Sequence, residues 1–372
     1  MAHRRVVIAL DSFKGSISAA SAAAALARGI GATRPDLTLH QVPIADGGEG
    51  TVATLVAAGF AEVPVTVCGP LGSPVGARLA MRGHEAVVEL ATAAGLHLLP
   101  GAPTARTALD SSTFGVGELI DAAVRRGATT VVVGLGGSCS TDGGAGLAQA
   151  LGARLTAVDG TELPRGGGAL SRLHTVVPPD RRAGVRIVAA TDVGNSLLGS
   201  SGAARIYGPQ KGAGPDEVDV LERALTRWAD VVREATGAEV RDRPGTGAAG
   251  GTGFALAALF DAEIVSGIDL VLDLVGFDDL AGPDALVVVG EGSLDAQTLN
   301  GKGPLGVARR AQAHGAQVVA VAGRSTLSPD ACAAAGLGAV HTLQALEPDP
   351  ARSMAEAASL LEAIGRRIGP QV

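Results

Sequence analysis

The sequence predicts an α/β fold in two parts: a Rossmann-like parallel-sheet domain built from both chain ends, and a mixed-sheet α/β domain inserted between them. Three observations carry this. Unbroken apolar runs such as "RVVIAL" (5–10), "ALVVVG" (285–290) and "QVVAVAG" (317–323) alternate with helical stretches, as parallel strands covered on both faces do. In the middle, "VPVTVC", "GARLAM" and "AVVEL" follow one another with only turn residues between them, which reads as locally antiparallel. The chain of 372 residues, 47% hydrophobic and 18% charged, is long enough for two cores.

Taken in order, "RVVIAL" feeds the loop "DSFKG" and an Ala-rich helix, with Ser18 as N-cap and Gly29 or Gly31 as its stop. "LTLHQVPI" (37–44) is a second strand, followed by "ADGGEGT" and a helical pattern from Val52. Alternation returns at "TTVVVGL" and "VRIVAATD", then at "ALVVVG", "QVVAVAG" and "GAVHTL" (338–343). Residues 1–65 and 283–372 are assigned to the first domain and 66–282 to the inserted one. Ligand loops belong at the carboxyl ends of such strands.

Composition narrows the function. A net charge of −7 argues against a nucleic-acid partner. The apolar run after the N-terminal arginines is too short for a signal peptide, and no stretch spans a bilayer. Three separated cysteines and seven scattered histidines form neither a disulfide framework nor a His/Cys metal centre. The expectation is a cytoplasmic protein without a membrane partner; a homodimer is compatible with a sequence that specifies no oligomeric state.

The chemistry concentrates in loops. Of 30 basic residues only Lys14, Lys211 and Lys302 are lysines, and each precedes a glycine. Lysine is a compact, rotatable charge that can follow a moving phosphoryl group, where arginine is a planar fork. Both asparagines, Asn195 and Asn300, also lie in glycine-rich loops. Acids mark the proposed strand ends: Asp11, Asp46, Glu49, Asp142, Asp192, Glu291 and Asp295. Oxygen ligands for Mg²⁺, a carboxylate to take a proton and cations for phosphate are what phosphoryl transfer requires. Several of these acids suit helix caps or turns equally well; Asp192 is harder to dismiss, because it ends a buried apolar run. "GLGGSCSTDGGAG" (134–146) holds six glycines and no lysine, so it is a phosphate-facing loop without being a Walker motif. "GTGAAG" (245–250) matches a dinucleotide fingerprint only literally, since no strand precedes it. "TRWADVV" reads as a packed helix face.

In order along the chain stand "ALDSFKGSISA", "PIADGGEGT", "ELATAAGL", "TFGVGELI", "GLGGS…DGGAG", "GPQKGA", "GAAGGTGFAL", "GEGSLDAQT" and "GKGPLGVA". Together they resemble the type-1 glycerate kinase family of bacteria, over about residues 5 to 345. The resemblance implies transfer of the γ-phosphoryl of ATP to D-glycerate, mostly giving 2-phosphoglycerate, with Mg²⁺ required and the site in a cleft. The mechanism expected on these loops has Asp192 accepting the proton of the attacking hydroxyl, Lys14 as first candidate for the substrate carboxylate and Lys211 neutralising the transferring group. Binding roles then fall to Asp11, Ser12, Gly15, Asp46, Gly47, Gly48, Glu49, Gly136, Gly137, Ser138, Asn195, Gln210, Glu291, Gln297 and Lys302. Asp295 and Asp46 are the metal candidates. Members usually read Ala-Thr-Asn where Cys139, Ser140 and Thr141 stand. They commonly carry an acid at Gly194, an arginine at Ser293 and a glutamate at Ser21. Those departures leave two alternatives: a kinase of another small hydroxy acid, and a non-catalytic metabolite sensor.

Overall fold

The computed structural model describes residues 5–45, 47–179, 184–295, 298 and 303–372. In chain order its strands are β1 (Arg5–Leu10), β2 (Thr38–Gln41), β3 (Ala61–Cys68), β4 (Pro74–Arg82), β5 (Glu85–Glu89), β6 (Thr130–Gly134), β7 (Arg154–Thr156), β8 (Thr175–Val177), β9 (Arg186–Ala190), β10 (Glu263–Val265), β11 (Ala285–Leu294), β12 (Gln317–Ser325) and β13 (Val340–Thr342). The chain divides into two units: residues 1–46, 53–58 and 268–372, and residues 47–52 and 59–267.

In the first unit the strands run in the order β13-β12-β11-β1-β2, all parallel. Val6 through Leu10 are fully buried, so β1 has no wet face. Each side of the sheet carries its own core. On one side Ile8 and Val288 pack with Leu26 and Ile30 of the helix Ala19–Thr33 and with Leu361 and Ile364 of the helix Ala357–Ile368. On the other, Val7 and Val287 pack with Val307, Ala308 and Ile268. Ser18 caps the first helix as expected, its hydroxyl accepting from the Ser21 N–H at 3.2 Å.

Gly29 does not stop that helix, which runs on to Thr33. A Cβ at Gly29 would lie 2.0 Å from the Glu362 carbonyl oxygen, and one at Gly365 would lie 2.4 Å from that of Leu26. The glycines are there because two helix backbones touch, and close packing outweighs the intrinsic cost of glycine inside a helix.

The second unit has the sheet order β10-β9-β6-β5-β4-β3. β3, β4 and β5 are antiparallel neighbours, while β5, β6, β9 and β10 are parallel. The switch from hairpins to crossovers matches the change in sequence pattern after "AVVEL". A two-stranded antiparallel ribbon, β7 with β8, lies apart. Both expected limits move. β3 starts at Ala61 and pairs along its whole length with β4, so the first limit precedes residue 65. Ile268 and Leu272 are buried beside Val7 and Val289, so the stretch from 268, rather than from 283, belongs with the first unit.

Candidate active site

At the carboxyl ends of β1 and β11 the first unit has a cavity of about 640 Å³. Its polar lining includes Asp11, Lys14, Glu291, Ser293, Asp295 and Arg324. Sequence reasoning ends the strand at Gly290; β11 instead continues through Leu294, in parallel register with β12. Glu291 and Ser293 are therefore strand residues on one face, two apart. The Glu291 carboxylate accepts from the Thr298 hydroxyl at 2.8 Å. Burial, reinforced by the Asp11 and Asp295 charges, pushes its carboxyl up to about 7, against the pull of Thr298 and Lys14. Asp11 accepts from the Ser12 N–H at 2.6 Å. Lys14 and Gly15 are exposed in the loop after β1.

The second unit holds the glycine-rich loop. After β6 the chain passes against the "ADGGEG" segment at backbone distance: a Cβ at Gly134 would lie 2.2 Å from the Gly47 oxygen, and one at Gly136 2.3 Å from the Gly48 Cα. Part of the loop's glycine thus serves packing rather than ligand approach. Asp142 is fully buried and accepts from the Thr113 N–H and hydroxyl at 2.8 and 2.9 Å and from the Gly144 and Gly146 N–H groups at 3.2 Å. Burial raises its carboxyl above the usual range while those four donors pull it down. Among the described residues, the N–H groups of Gly136, Gly137 and Ser138 have no protein acceptor, whereas those of Leu135, Cys139, Gly143, Gly144 and Gly146 are taken.

Lys211 departs most from expectation. It is 2% exposed, in the turn Pro209–Lys211, and its ammonium donates to the Ser138 hydroxyl at 2.7 Å and the Ser140 carbonyl at 2.6 Å. Burial lowers its pKa to about 8. The ammonium occupies a lone pair of the Ser138 hydroxyl and leaves its O–H as a donor. Beside Ser138 in sequence, the hydroxyls of Ser140 and Thr141 are buried without a partner among the described residues.

The remaining predicted residues divide. Asp192, after β9, accepts from the Ser266 hydroxyl at 2.9 Å and the Gly267 N–H at 3.0 Å. Asn195 is spent on the fold, since its amide nitrogen donates to the Ser201 carbonyl and its oxygen accepts from Tyr207, both at 2.7 Å. Glu49 and Gln210 are exposed. Asp46, Gln297, Asn300 and Lys302 lie outside the described residues. "GTGAAG" forms no dinucleotide loop; it leads into the helix Ala248–Phe260, where a Cβ at Gly250 would meet the Ser140 carbonyl oxygen at 2.1 Å. Trp228 is packed as expected, fully buried with its indole N–H on the Gly143 carbonyl at 2.9 Å.

Two residues escaped the sequence reading. Glu89 ends β5 and is 4% exposed; its two oxygens accept from the Gly50 and Val52 N–H groups, each at 3.1 Å. Burial raises its pKa. It clamps the "ADGGEG" segment, and its place at a strand end was the available signal. Arg324 is the penultimate residue of β12, one residue beyond the apolar run that marked the strand.

Among the described residues no three His, Cys, Asp or Glu side chains are arranged to hold a metal ion. Mg²⁺ bound through nucleotide phosphates needs only one or two carboxylates. Asp11, Glu291 and Asp295 offer only oxygen, and the first and last repel a charge on Glu291, so one or two of them suit a hard cation that nucleotide phosphates also hold. No described helix is long and apolar enough to cross a membrane.

Comparison with known proteins places these features in a lineage. The glycerate kinase family model matches residues 6–372. A glycerate kinase of Bacillus subtilis is 42% identical over 345 residues, covering 91% of this chain and 90% of that protein. The glycerate 2-kinase of Escherichia coli K12 is 42% identical over 330 residues, 87% of this chain and 86% of its own. A solved structure from Salmonella typhimurium LT2, provisionally named glycerate kinase 2, is 37% identical with a TM-score of 0.84, covering 99% of this chain and 98% of that one. The chain belongs to the glycerate kinase family.

Proposed function

We propose that this protein is an ATP-dependent glycerate kinase, transferring the γ-phosphoryl group to D-glycerate to give 2-phosphoglycerate and ADP. The observation that carries the reading is the first unit's cavity, which sets Lys14 among three carboxylates at the ends of two parallel strands. Phosphoryl transfer asks the protein chiefly to position its substrates and stabilise charge.

Lys14 binds the glycerate carboxylate. Asp295, with Asp46 as second candidate, would hold Mg²⁺, which when bound would neutralise phosphate charge. The unpaired N–H groups of Gly136, Gly137 and Ser138 bind phosphate oxygens, and Lys211 keeps the Ser138 hydroxyl pointed at them. Asp192 accepts the proton of the attacking hydroxyl; Ser266 and Gly267 orient its carboxylate. One observation favours a second assignment for that step. A carboxyl at about 7, as at Glu291, is matched to proton transfer at neutral pH.

ATP, Mg²⁺ and D-glycerate with enolase as coupling enzyme test the reaction. An enolase signal is expected, and its absence with intact protein would end the 2-phosphoglycerate reading; ADP release without it points to another hydroxyl or acid. Asp192→Asn is expected to lose well over tenfold in turnover. A smaller loss moves the base to Glu291. The departures at Thr141, Gly194 and Ser293 favour a related reading in which another small hydroxy acid is preferred, which kcat/KM across glycerate, glycolate, lactate and tartronate decides.

A further inference from the structure

We propose that Arg324 is a specificity-determining residue of this enzyme, whose guanidinium binds an oxyanion of the substrates through the edge opposite Ser293. The register of β11 and β12 sets Ser293 directly beside Arg324. The Arg324 Nε donates to the Ser293 hydroxyl at 3.2 Å, which fixes the plane of the guanidinium. Both side chains line the cavity that holds Lys14, Asp11, Glu291 and Asp295.

The choice of partner is informative. Three carboxylates share this cavity, yet among the described residues Arg324 pairs with none of them. A guanidinium carries five donors in a rigid fork, and the pair of terminal nitrogens matches a carboxylate or phosphate through two parallel hydrogen bonds. Bracing one edge on a neutral hydroxyl holds the fork in place without neutralising its charge. Strand pairing brings this guanidinium beside Ser293 from the neighbouring strand. Lys14 and Arg324 then give the cavity two cations of different shape, a point charge and a planar fork.

The ligand chemistry is an oxyanion, and two sources fit: the carboxylate of the hydroxy acid, or the terminal phosphates of the nucleotide. This inference rests on the kinase reading for its ligands. The test compares wild type with Arg324→Ala and Arg324→Lys, by steady-state kinetics with each substrate varied in turn. Calorimetric titrations with D-glycerate, ATP with Mg²⁺, and pyrophosphate run in parallel. A charge-assisted hydrogen-bonded pair corresponds to roughly a ten- to hundredfold change in affinity.

Arg324→Ala is expected to raise one KM by that factor, and Arg324→Lys to recover only part of it. The melting temperature should stay unchanged, because the side chain is exposed. A rise confined to glycerate assigns the carboxylate; one confined to ATP and pyrophosphate assigns the phosphates. If KM and Kd for every ligand stay within twofold of wild type, or Arg324→Lys equals wild type, the proposal is overturned. Should the wild type transfer no phosphoryl group, the kinase reading fails by itself, and the titrations still report on Arg324.

Discussion

Replacing Lys211 by methionine tests the second unit's buried cation. In the folded chain the ammonium titrates near 8 instead of its ordinary 10.5. Over that window the unfolded chain binds a proton that the folded one does not, so wild-type stability rises with pH from about 8 to 10.5. At about 1.36 kcal/mol for each pH unit of displacement, the charged lysine costs the fold on the order of 3 kcal/mol relative to a neutral one. Between pH 7 and 9.5 about 2 kcal/mol of this is recovered. Methionine removes the desolvation cost, but it also takes the donor from Ser138 and Ser140, worth about 1–3 kcal/mol. Those terms oppose each other, so the variant's stability at neutral pH is a poor reporter and the pH slope is a clean one. Urea unfolding followed by the fluorescence of Trp228, the sole tryptophan and buried in the same unit, gives both values. Wild type is expected to gain about 2 kcal/mol on Lys211→Met across that range, while the variant loses at least about a hundredfold in turnover. Parallel pH curves would refute desolvation at this site; a variant turning over like wild type would refute the role of the Lys211–Ser138 bond.

Three further perturbations follow from the packing and the acids. Gly365→Ala gains intrinsic helix propensity yet drives a Cβ to 2.4 Å from the Leu26 oxygen, and it is expected to cost about 1–3 kcal/mol, read as a lower thermal midpoint. Glu89→Gln keeps only one carbonyl acceptor for two N–H groups, so amide exchange at Gly50 and Val52 should quicken while exchange at Asp142's partners stays as it was. Glu291 is raised from 4.5 to about 7, so the folded chain holds a proton the unfolded one has released; its contribution is full below 4.5 and lost as pH rises through 7. Glu291→Gln should therefore flatten the stability profile between those values. If Glu291 is the base, kcat/KM also falls below about pH 7 in wild type; a flat profile there returns the role to Asp192.

The alternation of periods made the two sheets legible, because strands buried on both faces leave unbroken apolar runs and hairpins leave turn residues. Side-chain neighbours across strands were not legible in the same way. The approach of Arg324 to Ser293 depends on the parallel register of β11 and β12, and a register is a fact about two distant segments that neither encodes alone. The end of β11 was missed for a related reason. Glu291 and Ser293 look like loop residues by polarity, but a strand lining a cavity keeps its hydrogen bonds while turning polar side chains to the ligand. Glu89 was readable from its strand end, yet its clamp on "ADGGEG" is again a pairing between distant segments.

The lysines show how far residue rarity reaches. Their scarcity singled out Lys14, Lys211 and Lys302: Lys14 lines the cavity with Arg324, Lys211 is bonded to Ser138, and Lys302 lies outside the described residues. The glycine after Lys211 has a different cause. Gly212 has φ +94°, and a Cβ there would lie 2.4 Å from the Thr104 nitrogen, so only glycine fits the left-handed turn at the crowded end of Pro209–Lys211. That turn delivers Lys211 inward, where its ammonium meets the Ser138 hydroxyl and the Ser140 carbonyl. Steric fit and electrostatics are one arrangement there. A substitution at Gly212 is expected to free the lysine before it unfolds the unit, restoring an ordinary lysine titration and loosening Ser138 together.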